Sequence, residues 1–164
     1  MISEILITNK HLEKLEEIYP TPIVSKRTIV EGTDRYGKLA EVLFLEQFGG
    51  EFIDNRHFDI LLEPFGKIDV KAKIATVVPQ PTYLCTVNAY QHNNQCDYYV
   101  FYRGMKDYSK FWLLGGISKK EFMEKARFMK AGDMDFNHRV KCDQYGLAIQ
   151  ELYDIGQILK EASV

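Results

Sequence analysis

The chain has 164 residues, 46% apolar and 27% charged, enough for one hydrophobic core and too short for two, so a single domain over 1–164 is expected. Its 10 Tyr and 10 Phe argue against disorder, and a net charge of -2 gives no whole-molecule field that would attract a polyanion. Met1 to Pro20 carries Glu4, Lys10, Glu13, Lys14, Glu16 and Glu17, so no secretory leader is expected, and no uncharged apolar run reaches the roughly 18 residues of a membrane span. Three widely spaced cysteines, Cys85, Cys96 and Cys142, fit a reducing compartment better than a disulfide framework, and a cytoplasmic protein is expected.

From Asn9 to Tyr19, Leu12, Leu15 and Ile18 recur at helical intervals, and Pro20 with Pro22 closes the segment. A second helix is predicted from Asp34 to Phe48, with Tyr36, Ala40, Leu43, Phe44 and Gln47 or Phe48 on one face. Gly49-Gly50 then supplies the left-handed residue that a helix C-cap wants. His57 to Leu62 reads as a strand, Glu63-Pro64-Phe65-Gly66 as a turn, and Lys67 to Ile74 as the hairpin partner. Along that partner Ile68, Val70 and Ala72 face one way and Asp69, Lys71 and Lys73 the other. Pro79 and Pro81 interrupt, and Thr86 to Asn94 is read as a short helix despite its Val and Thr.

Asp97 to Tyr102, β-branched and aromatic throughout, is predicted as a buried strand, and Phe111 to Ile117 as another. Ser118, with Glu121 three residues on as a capping box, opens a helix running to about Met129. The tail divides into a strand from Tyr145 to Ile149 and a helix ending near Lys160. Strands and helices intermix around a central hairpin, so the expected class is α/β, a central mixed β-sheet flanked by helices.

The hairpin is where chemistry concentrates. Asp59 lies in one strand and Asp69 in its neighbour, and two carboxylates on one face of paired strands can share a cation. Asp69 and Lys71, two residues apart, project from the same face. A hard divalent ion takes carboxylate oxygens together with water and phosphate, and activates that water while offsetting charge on the phosphate. Without a cation the two carboxylates would repel a polyanion, so the set makes chemical sense around a metal.

These residues resemble the PD-(D/E)XK nucleases of the restriction-endonuclease-like superfamily. The likeness rests on Gly37-Lys38-Leu39-Ala40-Glu41 on a helix, Phe58-Asp59-Ile60-Leu61, and Ile68-Asp69-Val70-Lys71 after the turn, in the order the group shows. Gln91 is similar to a glutamine that some members carry after the core strands, and Cys96 to Phe101 to the strand that follows; the likeness covers about residues 35–103. Phe58 stands where the group's name has proline.

The resemblance implies a metal-dependent DNA endonuclease, acting in DNA processing, recombination, Holliday-junction resolution or phage DNA metabolism, with RNA left open as a substrate. It implies Mg²⁺ or Mn²⁺ on Asp59, Asp69 and the Val70 carbonyl, Lys71 beside the attacking water, Glu41 near the metal, and Gln91 in support. It further implies a homodimer. The expected DNA-facing residues are Lys26, Arg27, Arg35, Lys38 and Lys73.

Plainer readings stand beside these. Glu41 also reads as a helix carboxylate paired with Lys38, Asp69 and Lys71 as the solvent face of an edge hairpin, and Gln91 as a surface amide. A non-catalytic nucleic-acid-binding or interaction module that keeps the fold is the alternative function. His92-x-x-x-Cys96 and His138-x-x-x-Cys142 would together suit a Cys₂His₂ zinc site if they met in space, although a free Cys is often a plain core residue.

Overall fold

The computed structural model describes residues 2–19, 34–53, 55–91, 93–135 and 138–162. Strand β1 (Ser3–Leu6) leads into helix α1 (Asn9–Ile18), which buries His11 and Leu15, while Leu12 is 38% exposed. The inward stripe is therefore His11, Leu15 and Ile18 at i, i+4, i+7, and Leu12 falls on its flank. His11 earns its interior place by bonding at both ring nitrogens: Nδ1 accepts the Thr8 N–H at 3.0 Å, and Nε2 meets Glu46 of the next helix.

Helix α2 (Asp34–Phe48) is apolar around most of its middle, and Leu39, Ala40, Val42, Leu43 and Phe44 are all buried. The Gly49 N–H closes the last turn on the Leu45 carbonyl at 2.9 Å, and φ of +83° at Gly49 and +106° at Gly50 shows why glycine ends the helix.

Strands β2 (Glu51–Phe52), β3 (Ile60–Leu62) and β4 (Gly66–Ala75) follow as an antiparallel set. The expected strand at His57 to Leu62 shortens to β3, because the Asn55 side chain accepts the His57 and Phe58 N–H groups at 2.7 and 3.0 Å and bends the chain there. The expected helix at Thr86 to Asn94 is instead strand β5 (Leu84–Asn88) and a 3₁₀ turn at Ala89–Gln91. Cys85 and Val87 point into the core with period two, and that burial decides the conformation.

Strand β6 (Tyr98–Met105) runs parallel to β4 and antiparallel to β7 (Lys110–Ser118), which completes a six-stranded mixed sheet ordered β1-β7-β6-β4-β3-β2. Helix α3 (Lys119–Lys125) is capped by Ser118, whose Oγ accepts the Glu121 N–H at 3.1 Å. It stops at Ala126, short of the expected Met129, and extended backbone there starts β8 (Arg127–Met129). The Glu121 carboxylate, expected to close a capping box, instead accepts from the Tyr153 hydroxyl at 2.8 Å.

A two-stranded pair, β9 (Met134–Asp135) and β10 (His138–Arg139), precedes β11 (Gln144–Ala148) and helix α4 (Ile155–Ala162). The tail thus divides between strand and helix as its pattern predicts. Strands β5, β11 and β8 form a separate antiparallel sheet.

The main sheet has a core on each face. On one, α1, α2 and α4 cover Ile68, Val70, Val100, Tyr102, Phe111 and Leu113. On the other, the three-stranded sheet and α3 cover Tyr99, Phe101, Trp112, Leu114 and Ile117. The α/β class and the mixed sheet are as expected, but helices flank mainly one face. Each large apolar side chain sequestered in this way contributes about 1.5–3 kcal/mol, so both faces matter to stability. No helix among the described residues is long and apolar enough to cross a membrane.

Candidate active site

Strand β4 has two neighbours of unequal length. Strand β6 pairs with it from Ile68 to Ala75, whereas β3 pairs only with Gly66 to Ile68. The last backbone bond toward β3 is the Asp59 N–H to the Ile68 carbonyl at 2.8 Å. Beyond it the Val70 N–H meets the Asp59 carboxylate, at 2.7 Å to Oδ2. Asp59 therefore ends the ladder twice, once with its backbone and once with its side chain. An extended residue sends its N–H and C=O to the same edge, so the Val70 carbonyl leaves β4 beside Asp59.

Asp69 and Lys71 project from the opposite face to Ile68 and Val70, as the alternation predicts. Asp69 is 6% exposed and Asp59 8%. Lys71 Nζ lies 3.0 Å from Asp69 Oδ2 and donates to Gln91 Oε1 at 2.9 Å, so the 3₁₀ turn after β5 reaches across to β4. Burial alone would lower the Lys71 pKa; the nearby Asp69 and Asp59 charges outweigh it and hold the ammonium protonated above its ordinary range. In this state Lys71 is a hydrogen-bond donor and a positive charge.

Glu41 occupies a different setting. It is 3% exposed on α2, and its Oε2 accepts the Tyr19 hydroxyl from the end of α1. Lys38, one turn earlier, places its ammonium 4.6 Å from the Tyr19 ring centroid. Tyr19, Lys38 and Glu41 form a buried polar cluster on the helical side of the sheet. Among the described residues no three His, Cys, Asp or Glu side chains stand close enough together to hold a metal. Asp59 is anchored on the Val70 N–H and Asp69 is the residue before Val70; their carboxylates and the Val70 carbonyl are hard oxygens of the kind Mg²⁺ or Mn²⁺ prefers. In their chemistry these donors suit a divalent cation that keeps several waters, while the Glu41 carboxylate is engaged by the Tyr19 hydroxyl.

The expected DNA-facing residues divide. Lys26 and Arg27 lie outside the described residues. Arg35 pairs with Glu16 at 2.7 Å, tying α2 to α1. Lys38 is a correction: at 2% exposure it is interior, because α2 is covered around its middle and the ammonium finds the Tyr19 ring. Lys73 is exposed and lines a cleft that also contains Lys71 and Gln91.

Of the proposed zinc ligands, His92 lies outside the described residues. Cys142 Sγ donates to Asn88 Oδ1 at 3.2 Å, and burial pushes the Cys96 thiol up to about 12, which disfavours the thiolate that a metal would need. Two residues that sequence reasoning missed take part in this region, Tyr19 and Arg103. Tyr19 is the last residue before a proline and gave no signal of its own, whereas Arg103 stands directly opposite Lys73 in β6, visible only once β4 and β6 are paired.

No family model matches the chain, and no curated protein matches its sequence.

Proposed function

We propose that the chain is a metal-dependent nuclease whose Asp59 and Asp69 carboxylates, with the Val70 carbonyl, would hold Mg²⁺ or Mn²⁺ beside Lys71. The observation that carries the reading is the end of the β3–β4 ladder. One buried carboxylate is anchored on the Val70 N–H at 2.7 Å, the residue before Val70 in β4 supplies a second, and Lys71 stands 3.0 Å from the latter. Buried charges at such cost are retained where they do chemistry.

The order of elements supports the restriction-endonuclease-like fold as part of the same reading. An acid-bearing helix, α2, precedes the antiparallel run β2-β3-β4, and β6 then lies parallel to β4. When bound, the cation would lower the pKa of a coordinated water and offset charge on the phosphate. Lys71, 3.0 Å from Asp69, would donate to a nonbridging phosphate oxygen or orient the attacking water. Gln91 fixes the Lys71 side chain from the opposite wall, and Asp59 locks the edge of β4 so that Asp69 keeps its direction. DNA is the proposed substrate, with branched and single-stranded forms included.

Cleavage of linear, circular, single-stranded and branched DNA in Mg²⁺ or Mn²⁺ tests the reading, with Asp69→Asn beside the wild type. The expected result is metal-dependent cutting that falls to background in the variant. Absence of cutting on every DNA, together with no calorimetric Mn²⁺ binding, would sink it.

A second reading, a non-catalytic binding module, draws on one observation: Glu41 is bonded to Tyr19, and no three His, Cys, Asp or Glu side chains of the described residues gather into a metal site. Nucleic-acid binding that is insensitive to Asp69→Asn and to chelation would favour it.

A further inference from the structure

On the face of the main sheet away from α2, a cleft of about 520 Å³ separates β4 and β6 from β5, β11 and the segment after β10. Lys71 and Gln91 line it, so it is continuous with the candidate site. Lys73, Arg103 and Lys141 line it as well, and among the described residues no acidic side chain does.

We infer that this cleft holds one unpaired nucleic-acid strand, with Lys73 and Arg103 forming a phosphate site next to the one at Lys71. The inference deepens the nuclease reading and rests on it for the position of the bond to be cut.

The first argument is the pairing. Lys73 and Arg103 are direct partners in the parallel β4–β6 ladder, so two cations stand side by side on one face, where like charges repel. Neither forms an ion pair among the described residues. Arg103 donates to the Leu84 carbonyl at 3.0 Å and lies 5.1 Å from the Tyr83 ring centroid, contacts that aim the guanidinium and leave its charge in place. Asp135 acts on both cations through space without an ion-pair contact. Burial lowers the pKa of each, and for Lys73 the neighbouring Arg103 adds to it, while Asp135 opposes the shift at both. A phosphate would supply the direct ion-pair partner that neither cation has among the described residues.

Spacing is the second argument. Lys71 and Lys73 are two residues apart on one strand face, about 7 Å along β4. That is comparable with the separation of successive phosphates in an extended strand, so the backbone of one strand can run along β4 in register with both lysines. Enclosure is the third. The cleft has the volume of a small-ligand site and walls on both sides. A duplex, whose major groove alone is about 12 Å wide, does not enter such a space, whereas a single strand does. Gln144 on the opposite wall offers an amide that can meet base edges.

The test is binding of a labelled short oligothymidylate in EDTA, measured by anisotropy across a salt series, against a duplex of equal length. The strand is expected to bind more tightly than the duplex. Lys73→Gln and Arg103→Gln should each weaken it by roughly tenfold and flatten the log–log salt slope by about 0.7, one phosphate contact each on a single strand. Lys73 has no side-chain hydrogen bond to lose, so its variant is the one that keeps the fold, and Lys73→Arg should restore binding. Unchanged affinity in both glutamine variants, or a duplex bound as tightly as the strand, overturns the inference. Strand binding that depends on Lys73 in a protein that neither cuts DNA nor binds Mn²⁺ supports the cleft and overturns only the catalytic reading.

Discussion

Lys71 on β4 donates to Gln91 Oε1 on the 3₁₀ turn after β5, at 2.9 Å, and thereby joins the main sheet to the smaller one at the site itself. The bond leaves the Lys71 ammonium with two directed contacts, Asp69 and Gln91, and a third donor hydrogen for a ligand. Removing the amide frees a long side chain to reorient.

On the proposed nuclease reading, Gln91→Leu is therefore expected to lower the cleavage rate by about 10–100-fold while leaving Mn²⁺ affinity within a few-fold of wild type, because Gln91 orients Lys71 and would touch no metal donor. Paired rate and calorimetric measurements check it. An unchanged rate would show that Lys71 is held without the amide.

Asp59 separates two roles that one substitution cannot. Asn at this position keeps an oxygen for the Val70 N–H, so Asp59→Asn should fold with near wild-type stability and, on the proposed reading, lose Mn²⁺ binding. Asp59→Ala also strands a buried N–H, which costs about 1–3 kcal/mol on top. Urea unfolding of the two variants side by side should show that gap, and equal stabilities would mean that the Val70 N–H finds another partner.

Both helices and the hairpin were legible because each carries its own punctuation: Pro20 after α1, Gly49-Gly50 after α2, and Pro64 with Gly66 between β3 and β4. The alternation of Ile68, Val70 and Ala72 against Asp69, Lys71 and Lys73 was local as well, and the two faces it implies are the two faces found. What could not be read were features made by distant partners. Thr86 to Asn94 is polar enough to pass for a helix until Cys85 and Val87 are seen packed with Leu147 of β11. The burial of Lys38 depends on Tyr19, and the Lys73–Arg103 pair depends on a parallel ladder between strands separated by a whole excursion of chain. The apolar run places Phe58 and Asp59 mid-strand, whereas an Asn55 side-chain turn starts the strand later.

Gly104 is expected to be intolerant of any side chain. It pairs directly with Phe111 across β6 and β7, and a Cβ there would overlap the Phe111 ring, itself buried against Tyr36. Gly104→Ala should cost about 1–3 kcal/mol of overpacking, read as a lowered urea midpoint. A neutral outcome would show that the ring can shift within the core.

Alkaline pH should destabilise the fold partly through Cys85. Burial raises its thiol pKa from the model-peptide value of 9.0 to about 12, with Arg103 and Lys73 opposing the shift. The folded state keeps the thiol protonated in a range where the unfolded chain has released it. Stability from this group is therefore fully present below pH 9 and is lost as pH rises toward 12, at about 1.4 kcal/mol per pH unit. Other groups titrate in the same range, so the useful comparison is with Cys85→Ala. That variant carries a fixed deficit at pH 8 from the lost buried sulfur, and the deficit should shrink by about 1.4 kcal/mol at pH 10. Urea unfolding of both proteins at the two pH values measures the change. A deficit equal at both would mean that the thiolate of the folded protein is reached by water or by a cation at far lower cost than its burial among Phe101, Trp112 and Leu147 requires.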